Sequence, residues 1–234
     1  MNQPVHDSVA THETKFILNN ITAKVIIQWL QSRNKPDPEF PAGIISSIYY
    51  DTWDWHFLRE KVNSDYLKTK VRIRWYADID SEKPEDKSFL EVKYKVGSRR
   101  KKIRIKTDYS GSWLSSVSLD GQSLLKIPHL LRSHGVVING HLYPAFQITY
   151  KRLRFIEPIT GVRLCLDYDI GAPRVNRQML PRTHPFWLQN AVFELKGKIN
   201  ELPEVLYQLT ALGCWKQSFS KYSACYQKIM QVAF

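Results

Sequence analysis

From residue 44 onward, apolar and polar side chains alternate with a period of two in a series of short runs, the pattern of half-buried strands. The runs fall at 44–50, 67–77, 88–96, 100–107, 145–156, 161–170 and 191–198, with a shorter one at 14–18. Ahead of the main series, residues 22–32 predict a helix with Val25, Trp29 and Ser32 near one face and a cap at Asn20 or Thr22. Pro36, Pro38 and Pro41 then enforce a loop. Further helices are expected at about 122–134 and 202–212, the second opening after Glu201 with Pro203 in its first turn. Residues 78–87 predict an acidic hairpin loop, and Gly97-Ser98 a tight turn. The segment from Pro158 to Gly161 should join two antiparallel strands, and 171–187, with Pro173, Pro181 and Pro185, a long loop. Residues 1–12 have the character of a tail. No repeat or linker interrupts the rest, so 13–234 is expected to form one domain.

Alternate side chains of a strand share a face, and here the polar faces share a sign. Lys68, Lys70, Arg72 and Arg74 alternate with Val71, Ile73 and Trp75; Glu91, Lys93 and Lys95 with Leu90, Val92 and Tyr94. Lys102, Arg104 and Lys106 alternate with Ile103 and Ile105, and Arg152 and Arg154 with Leu153 and Phe155. Arg163, Asp167 and Asp169 oppose Val162, Leu164 and Leu166, while Glu194, Lys196 and Lys198 oppose Phe193 and Leu195. A solvated sheet face also alternates, but it mixes signs, because like charges opposite one another repel. These faces hold fourteen cations and four carboxylates. That imbalance makes sense if the sheet closes, turns its basic faces into a lumen and receives a polyanion there.

The whole chain shares the bias: 34 Lys and Arg against 22 Asp and Glu, a net charge of +12. An anionic partner is implied, whether nucleic acid, phosphate-rich small molecule, polyphosphate or anionic surface. With 43% hydrophobic residues the chain is an ordinary globule, and no apolar run approaches the ~18 residues of a membrane span. The N-terminus lacks the basic start and apolar stretch of a signal peptide. Cys165, Cys214 and Cys225 cannot all pair and form no Cys-x-x-Cys, which favours a reducing compartment; the cytoplasm is the expected location.

Motif chemistry is sparse. There is no Gly-x-x-x-x-Gly-Lys loop, no Gly-x-Gly-x-x-Gly, no His-Glu-x-x-His and no Gly-x-Ser-x-Gly. His129 and His134, five apart, suit surface or capping positions better than a shared metal. Phosphoryl transfer between phosphates needs alignment and charge neutralisation rather than a protein nucleophile, so these absences do not weigh against it. Glu194, two residues before Lys196 on one face, suits a divalent cation that bridges carboxylate and phosphate oxygens. Glu91 could do the same, or could pair with Lys93 or Arg104 as structural support.

Seven segments in order then carry a resemblance. They are Ile48-Tyr49-Tyr50-Asp51-Thr52, Lys70 to Tyr76, Phe89 to Lys93, Tyr150-Lys151-Arg152, Arg163 to Asp167, Val192 to Lys196 and Phe219-Ser220-Lys221-Tyr222. Together they resemble the catalytic domain of the vacuolar transporter chaperone (VTC) polyphosphate polymerases, within the triphosphate tunnel metalloenzymes, over residues 13 to 223. The resemblance implies an α+β fold, an eight-stranded antiparallel β-barrel tunnel with peripheral helices. It also implies a Mn²⁺ or Mg²⁺ cofactor, ATP as phosphoryl donor and polyphosphate or triphosphate as ligand, with nucleic acid not the primary ligand.

By the same resemblance, Arg72, Arg74, Lys93, Arg152, Arg163 and Glu194 would form the catalytic set, with Glu194 binding the metal. Lys15, Lys70, Lys102, Arg104, Tyr150, Lys196 and Lys221 would complete the phosphate-binding set. Thr11, Glu13 and Lys15 occupy the first-strand face where the family's hydrolases carry two glutamates and a lysine, so one carboxylate is missing, which fits the polymerase branch. Triphosphate or nucleoside triphosphate hydrolysis is the alternative, and a non-catalytic polyphosphate- or RNA-binding module a third reading. The phosphate-sensing domain and membrane helices of larger family assemblies are not in this sequence, so the resemblance implies either a stand-alone synthase or a catalytic module that borrows membrane-associated partner proteins.

Overall fold

The computed structural model describes residues 12–63, 65–97, 99–181, 184–197 and 207–232. The alternating runs become the long strands β1 (His12–Asn19), β3 (Ala42–Asp51), β4 (Leu67–Ala77), β5 (Pro84–Val96), β6 (Arg99–Thr107), β7 (Tyr143–Ile156), β8 (Arg163–Ala172) and β10 (Asn190–Gly197). Three two-residue strands join them: β2 (Lys35–Pro36), β9 (Phe186–Trp187) and β11 (Trp215–Lys216). Every ladder is antiparallel, in the order β11-β1-β10-β8-β7-β3-β4-β5-β6, with β2 paired to β7 and β9 to β8. The α+β class stands. The expected closed barrel of eight strands does not: the sheet has eleven strands among the described residues and stays open between β1 and β6.

The reason lies at the edge of β1. Its second edge is taken by β11, with Phe16 opposite Lys216 and Ile17 opposite Trp215, and by the Gln217 N–H, which donates to the Lys15 carbonyl at 3.0 Å. That pairing takes the middle of the edge, from Lys15 to Ile17, and β6 forms no ladder with β1. The two walls meet instead through side chains: Glu13 Oε2 lies 2.7 Å from Arg100 Nη1 and 3.7 Å from Lys93 Nζ.

Apolar faces turn outward against helices, each large buried side chain contributing about 1.5–3 kcal/mol. Val71, Ile73, Trp75, Leu90 and Val92 pack under α3 (Gly111–Ser116) and α4 (Gln122–Leu125). Phe16, Leu18, Leu164, Leu166 and Phe193 pack under α1 (Asn20–Arg33) through Ala23, Ile26 and Leu30. The helix is therefore turned from the expected Val25–Trp29–Ser32 face, and Val25 is half exposed; its cap is Asn19, whose Oδ1 accepts from the Thr22 N–H at 2.7 Å. The third helical layer lies on the inner side. Phe146 and Ile148 of β7 share their strand face with Tyr150 and Arg152, and α7 (Lys221–Val232) covers that apolar half with Tyr222, Cys225 and Ile229. One strand face is thus apolar under α7 and basic beyond it.

Several elements depart from expectation. Pro128, which lacks an N–H, breaks the 122–134 helix into α4, a 3₁₀ turn at Ile127–His129 and α5 (Leu130–Ser133). β5 begins at Pro84, so the hairpin loop shortens to 78–83, closed by Asp78 N–H to the Lys83 carbonyl and by Asp78 Oδ1 accepting from the Asp80 and Ser81 N–H groups. The 171–187 loop includes the end of β8 and all of β9. Of the 202–212 helix only α6 (Gln208–Ala211) falls among the described residues; Glu201, Pro203, Lys198, Ser98 and Thr11 lie outside them, as does the tail up to residue 11. His12, placed in the tail, already belongs to β1. Helices α2 (His56–Val62), α3 and α7 were not expected. No described helix is long and apolar enough to cross a membrane.

Candidate active site

β4 runs along one wall of an internal cavity of about 510 Å³ and sends Lys70, Arg72, Arg74 and Tyr76 into it. Its neighbours add Glu91 and Lys93 from β5 and Lys102 and Arg104 from β6. Register fixes their meeting: Arg72 lies opposite Glu91, and Glu91 opposite Arg104. Arg72 donates from Nε and Nη2 to Glu91 Oε2 at 2.9 and 2.7 Å, and from Nη1 to the Tyr49 hydroxyl at 2.9 Å. Arg74 Nη1 lies 3.6 Å from the same carboxylate, Lys102 Nζ 2.7 Å and Arg104 Nε 3.5 Å. Burial pushes the Glu91 carboxyl up, but Arg72, Arg74 and Lys102 hold it well below the usual range. Of the pairings expected for Glu91, that with Arg104 is present and that with Lys93 is not; four cations surround the carboxylate.

The facing wall is built from β7, β8, β10 and β1. Arg152 grips Asp167 two-pronged, Nε to Oδ1 at 2.5 Å and Nη2 to Oδ2 at 2.6 Å, the strongest geometry for such a pair. Lys221, the first residue of α7, donates to the other face of Asp167 Oδ2 and sits 4.6 Å from the centre of the Tyr150 ring. Asp167 is fully buried; burial raises its carboxyl while Arg152 and Lys221 more than offset that and hold it low. Glu194, also buried, faces Lys15 across the ladder, with Lys15 and Lys196 at 3.1 Å and Arg152 at 3.6 Å. Burial works to raise its carboxyl too, and Lys221, Lys196, Lys15 and Arg152 keep it well below the carboxylate range. Arg163 lies opposite Lys196 and lines the same cavity.

The C-terminal helix is held by a buried polar anchor. The Tyr222 hydroxyl donates to Asp51 Oδ2 at 2.7 Å, and Asp51 also accepts the N–H groups of Thr52, Phe57 and Leu58. The Tyr222 ring is stacked between Tyr49 and Phe146, with centroids 5.0 and 4.9 Å away. These contacts fix the first turn of α7, and with it Lys221, against the cavity.

Not every cation has a carboxylate. Among the described residues Lys70 makes no ion pair; its Nζ donates to Ser220 Oγ at 3.1 Å. Burial, with Lys15, Lys93 and Arg72 nearby, pushes it down to about 7. Lys93 is pushed down to about 8 by burial and by Lys15, against the pull of Glu13. Tyr150 moves the other way from its burial, which alone would raise the phenol: Arg74 and Arg152 draw it below the ordinary value. These cations are short of anions.

All thirteen candidates named from the sequence line this one cavity: Lys15, Lys70, Arg72, Arg74, Lys93, Lys102, Arg104, Tyr150, Arg152, Arg163, Glu194, Lys196 and Lys221. Asp169, grouped with the inner face by alternation, does not. A register shift in the β7–β8 ladder and a φ of +50° at Asp169 turn it out, beside Lys151 at 3.6 Å. Tyr49, Tyr76 and Ser220 line the cavity unforeseen; uncharged, they leave no sign pattern to find. Arg154 also lines it and was visible in the alternation of β7.

No group of three or more metal-ligating side chains occurs among the described residues. Glu13 and Glu194 nonetheless both contact Lys15 Nζ, at 3.3 and 3.1 Å. Two carboxylates beside a cation-rich cavity fit a Mg²⁺ or Mn²⁺ ion held in part by groups other than the protein, and do not fit an all-protein cage.

A family model for the VTC domain matches residues 10–230. Comparison with curated proteins gives no match. Among solved structures, the PH1819 protein of Pyrococcus horikoshii OT3 is 14% identical, with a TM-score of 0.51 over 94% of this chain and 99% of that one. A proposed adenylate cyclase of Bacillus halodurans is 15% identical, with a TM-score of 0.51 over 91% and 96%. One from Vibrio parahaemolyticus is 10% identical, with a TM-score of 0.51 over 96% and 99%. At these identities the likeness is one of fold.

Proposed function

The chain belongs to the VTC domain family, and from that premise we propose that it is a metal-dependent polyphosphate polymerase. In this reading a terminal oxygen of phosphate or of a growing chain attacks the γ-phosphorus of ATP. The bond from that phosphorus to the β–γ bridging oxygen breaks, and ADP leaves with the bond's electron pair. Arg72, Arg74 and Arg152 neutralise the phosphates and hold donor and acceptor in line. Lys221, Lys93 and Arg163 add charge around them, with Lys15, Lys70, Lys102, Arg104 and Lys196 along the cavity and Tyr150 as a hydroxyl contact. A Mn²⁺ or Mg²⁺ ion on Glu194, with Glu13 beside it, would supply Lewis-acid polarisation of phosphoryl oxygens when bound.

One observation carries the polymerase over a hydrolase. Beyond Lys70 and Lys93 the cavity adjoins a cleft of about 530 Å³ lined by Lys61, Lys68, Lys95, Arg100 and Lys216. From Lys68 to Tyr76 the strand extends roughly 26 Å at ~3.3 Å per residue. A triphosphate occupies only part of that length, and a longer phosphate chain uses the rest. The test is product analysis with ATP and Mn²⁺. Long acid-labile phosphate chains with ADP are expected. Orthophosphate as the only phosphate product would make the protein a hydrolase, and unchanged ATP a binding module.

A further inference from the structure

The two ends of the cavity differ chemically. Along β4 the inward residues run Lys68, Lys70, Arg72, Arg74, Tyr76 and then Asp78 in the loop; Lys68 and Lys70 line the lysine cleft, and Tyr76 and Asp78 a second cleft of about 740 Å³ at the other end. Tyr76, Arg104 and Arg154 are shared by this second cleft and the cavity. Its lining brings three aromatic rings, Phe40, Tyr76 and Phe89, together with Lys83 and Lys87. Tyr76 and Phe89 meet edge to face with centroids 6.2 Å apart, and the Arg104 guanidinium lies 3.6 Å from the Phe89 ring centre while donating to the Tyr76 hydroxyl at 3.0 Å. Phe40, more than half exposed, stands on the same cleft, its carbonyl fixed by Arg154 Nη1 at 2.9 Å. Glu85 and Asp86 are exposed on the rim and make no ion pair among the described residues.

This end mixes Asp78, Glu85 and Asp86 with Lys83 and Lys87, unlike the lysine cleft, and offers surfaces that stack. We propose that the cleft of Phe40, Tyr76, Phe89 and Arg104 holds the base of the nucleoside triphosphate, a purine with an exocyclic amino group. The inference rests on the ATP-dependent reading above and gives the cavity a direction. A flat base stacks on aromatic rings and guanidinium planes, and the rim carboxylates are acceptors for an amino group. With the base there, Arg104 and Arg154 meet the first phosphates, and the γ-phosphate lies deeper toward Arg72, Arg74 and Arg152. The growing chain then leaves through the lysine cleft. The opposite orientation would set the base among Lys61, Lys68, Lys95 and Arg100, where Phe219 is the one aromatic lining residue among those described.

Two measurements on the full chain test this, both without metal. Photolysis with 8-azido-ATP followed by peptide mapping is expected to label residues 37–43 or 76–89. Label at 61–70 or 215–219 would reverse the direction and overturn the proposal. Calorimetry then compares ATP with inorganic triphosphate. Phe40→Ala, an exposed change that leaves the core intact, is expected to weaken ATP about tenfold, within the ~5- to 150-fold per stacked base, and to leave inorganic triphosphate unchanged. An unchanged ATP affinity, or equal losses for both ligands, overturns the base site while the phosphate cavity stands. Failure of the unaltered protein to bind either ligand overturns the functional reading and this inference with it.

Discussion

Lys70 offers the most quantitative test of a phosphate-binding cavity. Without ligand its ammonium is surrounded by Lys15, Lys93 and Arg72, makes no ion pair among the described residues, and is pushed down to about 7. A phosphate group alongside supplies the missing anion and favours the charged form. Binding above pH 7 must therefore be accompanied by proton uptake. The sign follows from the direction of the shift: affinity is flat below about 7 and falls with rising pH between the free and bound values, because the free protein has lost a proton that the complex needs. At pH 8 a group titrating at about 7 is roughly one-tenth protonated, so Lys70 takes up about 0.9 proton per ATP bound. From pH 7.5 to 9 that one residue weakens binding about 25-fold, provided its bound value stays above 9. The assay is calorimetry of metal-free ATP binding at pH 8 in two buffers of different ionisation enthalpy. Lys70→Arg keeps the cation but never releases its proton, so uptake in the variant should fall by most of one proton. The comparison also cancels any contribution from the nucleotide. Equal uptake by the two proteins would mean that Lys70 is already charged in the free cavity, and the account of its surroundings would be wrong.

Three further outcomes are expected. Glu194→Gln keeps the shape of the side chain but removes the charge that would attract a hard cation; turnover with Mn²⁺ should fall by orders of magnitude while metal-free triphosphate binding, followed by calorimetry, persists or strengthens. Arg74→Ala should weaken inorganic triphosphate binding far more than Lys83→Ala, since Lys83 is exposed on the loop after β4, and equal losses would mean a diffuse basic surface. Tyr222→Phe removes the hydroxyl donated to buried Asp51, a bond to a carboxylate worth about 1.5–3 kcal/mol. Its melting temperature should drop by about 5 °C, and its KM for ATP should rise as Lys221 loosens, while Ser133→Ala, far from this anchor, leaves both unchanged.

The cavity was legible because a strand inverts its side chains at every residue. Lys70, Arg72 and Arg74 could share a face only by standing at alternate positions, and their common sign separated that face from a solvated one. Where the signal is apolar the same logic fails. Phe146 and Ile148 stand on the face of Tyr150 and Arg152, yet α7 covers them from inside, and period two does not say which side of a sheet a helix will cover. Helix phase failed at α1 for a similar reason: Val25 and Ile26 are neighbours of equal apolarity, and contacts made by the sheet seat Ile26. The barrel expectation met a strand that alternation does not reveal. Trp215 and Lys216 carry no periodicity, but their pairing occupies part of the β1 edge that closure would need. Asp51 and Tyr222 lie 171 residues apart, and nothing in either segment announces the other.

The ligand-free cavity also has to tolerate its own charge. Twelve cations line it among the described residues, against Glu13, Glu91 and Glu194, with Asp167 behind. Arginine cannot shed its proton, so an unpaired buried guanidinium has no escape, whereas lysine can neutralise. The structure divides the two accordingly. The most buried arginines, Arg74 and Arg152, and the partly buried Arg72 lie against carboxylates. Of the lining cations with no ion pair among the described residues, Lys70 is the deeply placed one, while Arg154 rests on the Phe40 carbonyl and Arg163 is exposed; Lys93, with Glu13 only at 3.7 Å, and Lys102 are depressed as well. In the proposed reaction, incoming phosphates would recharge the lysines and share the arginines with the carboxylates that hold them. Those carboxylates would keep Arg72, Arg74 and Arg152 aimed before the substrate arrives. Replacing Lys70 by arginine should leave an uncompensated charge in the empty cavity, and replacing Arg152 by lysine would forfeit the two-pronged hold on Asp167 that also seats Lys221.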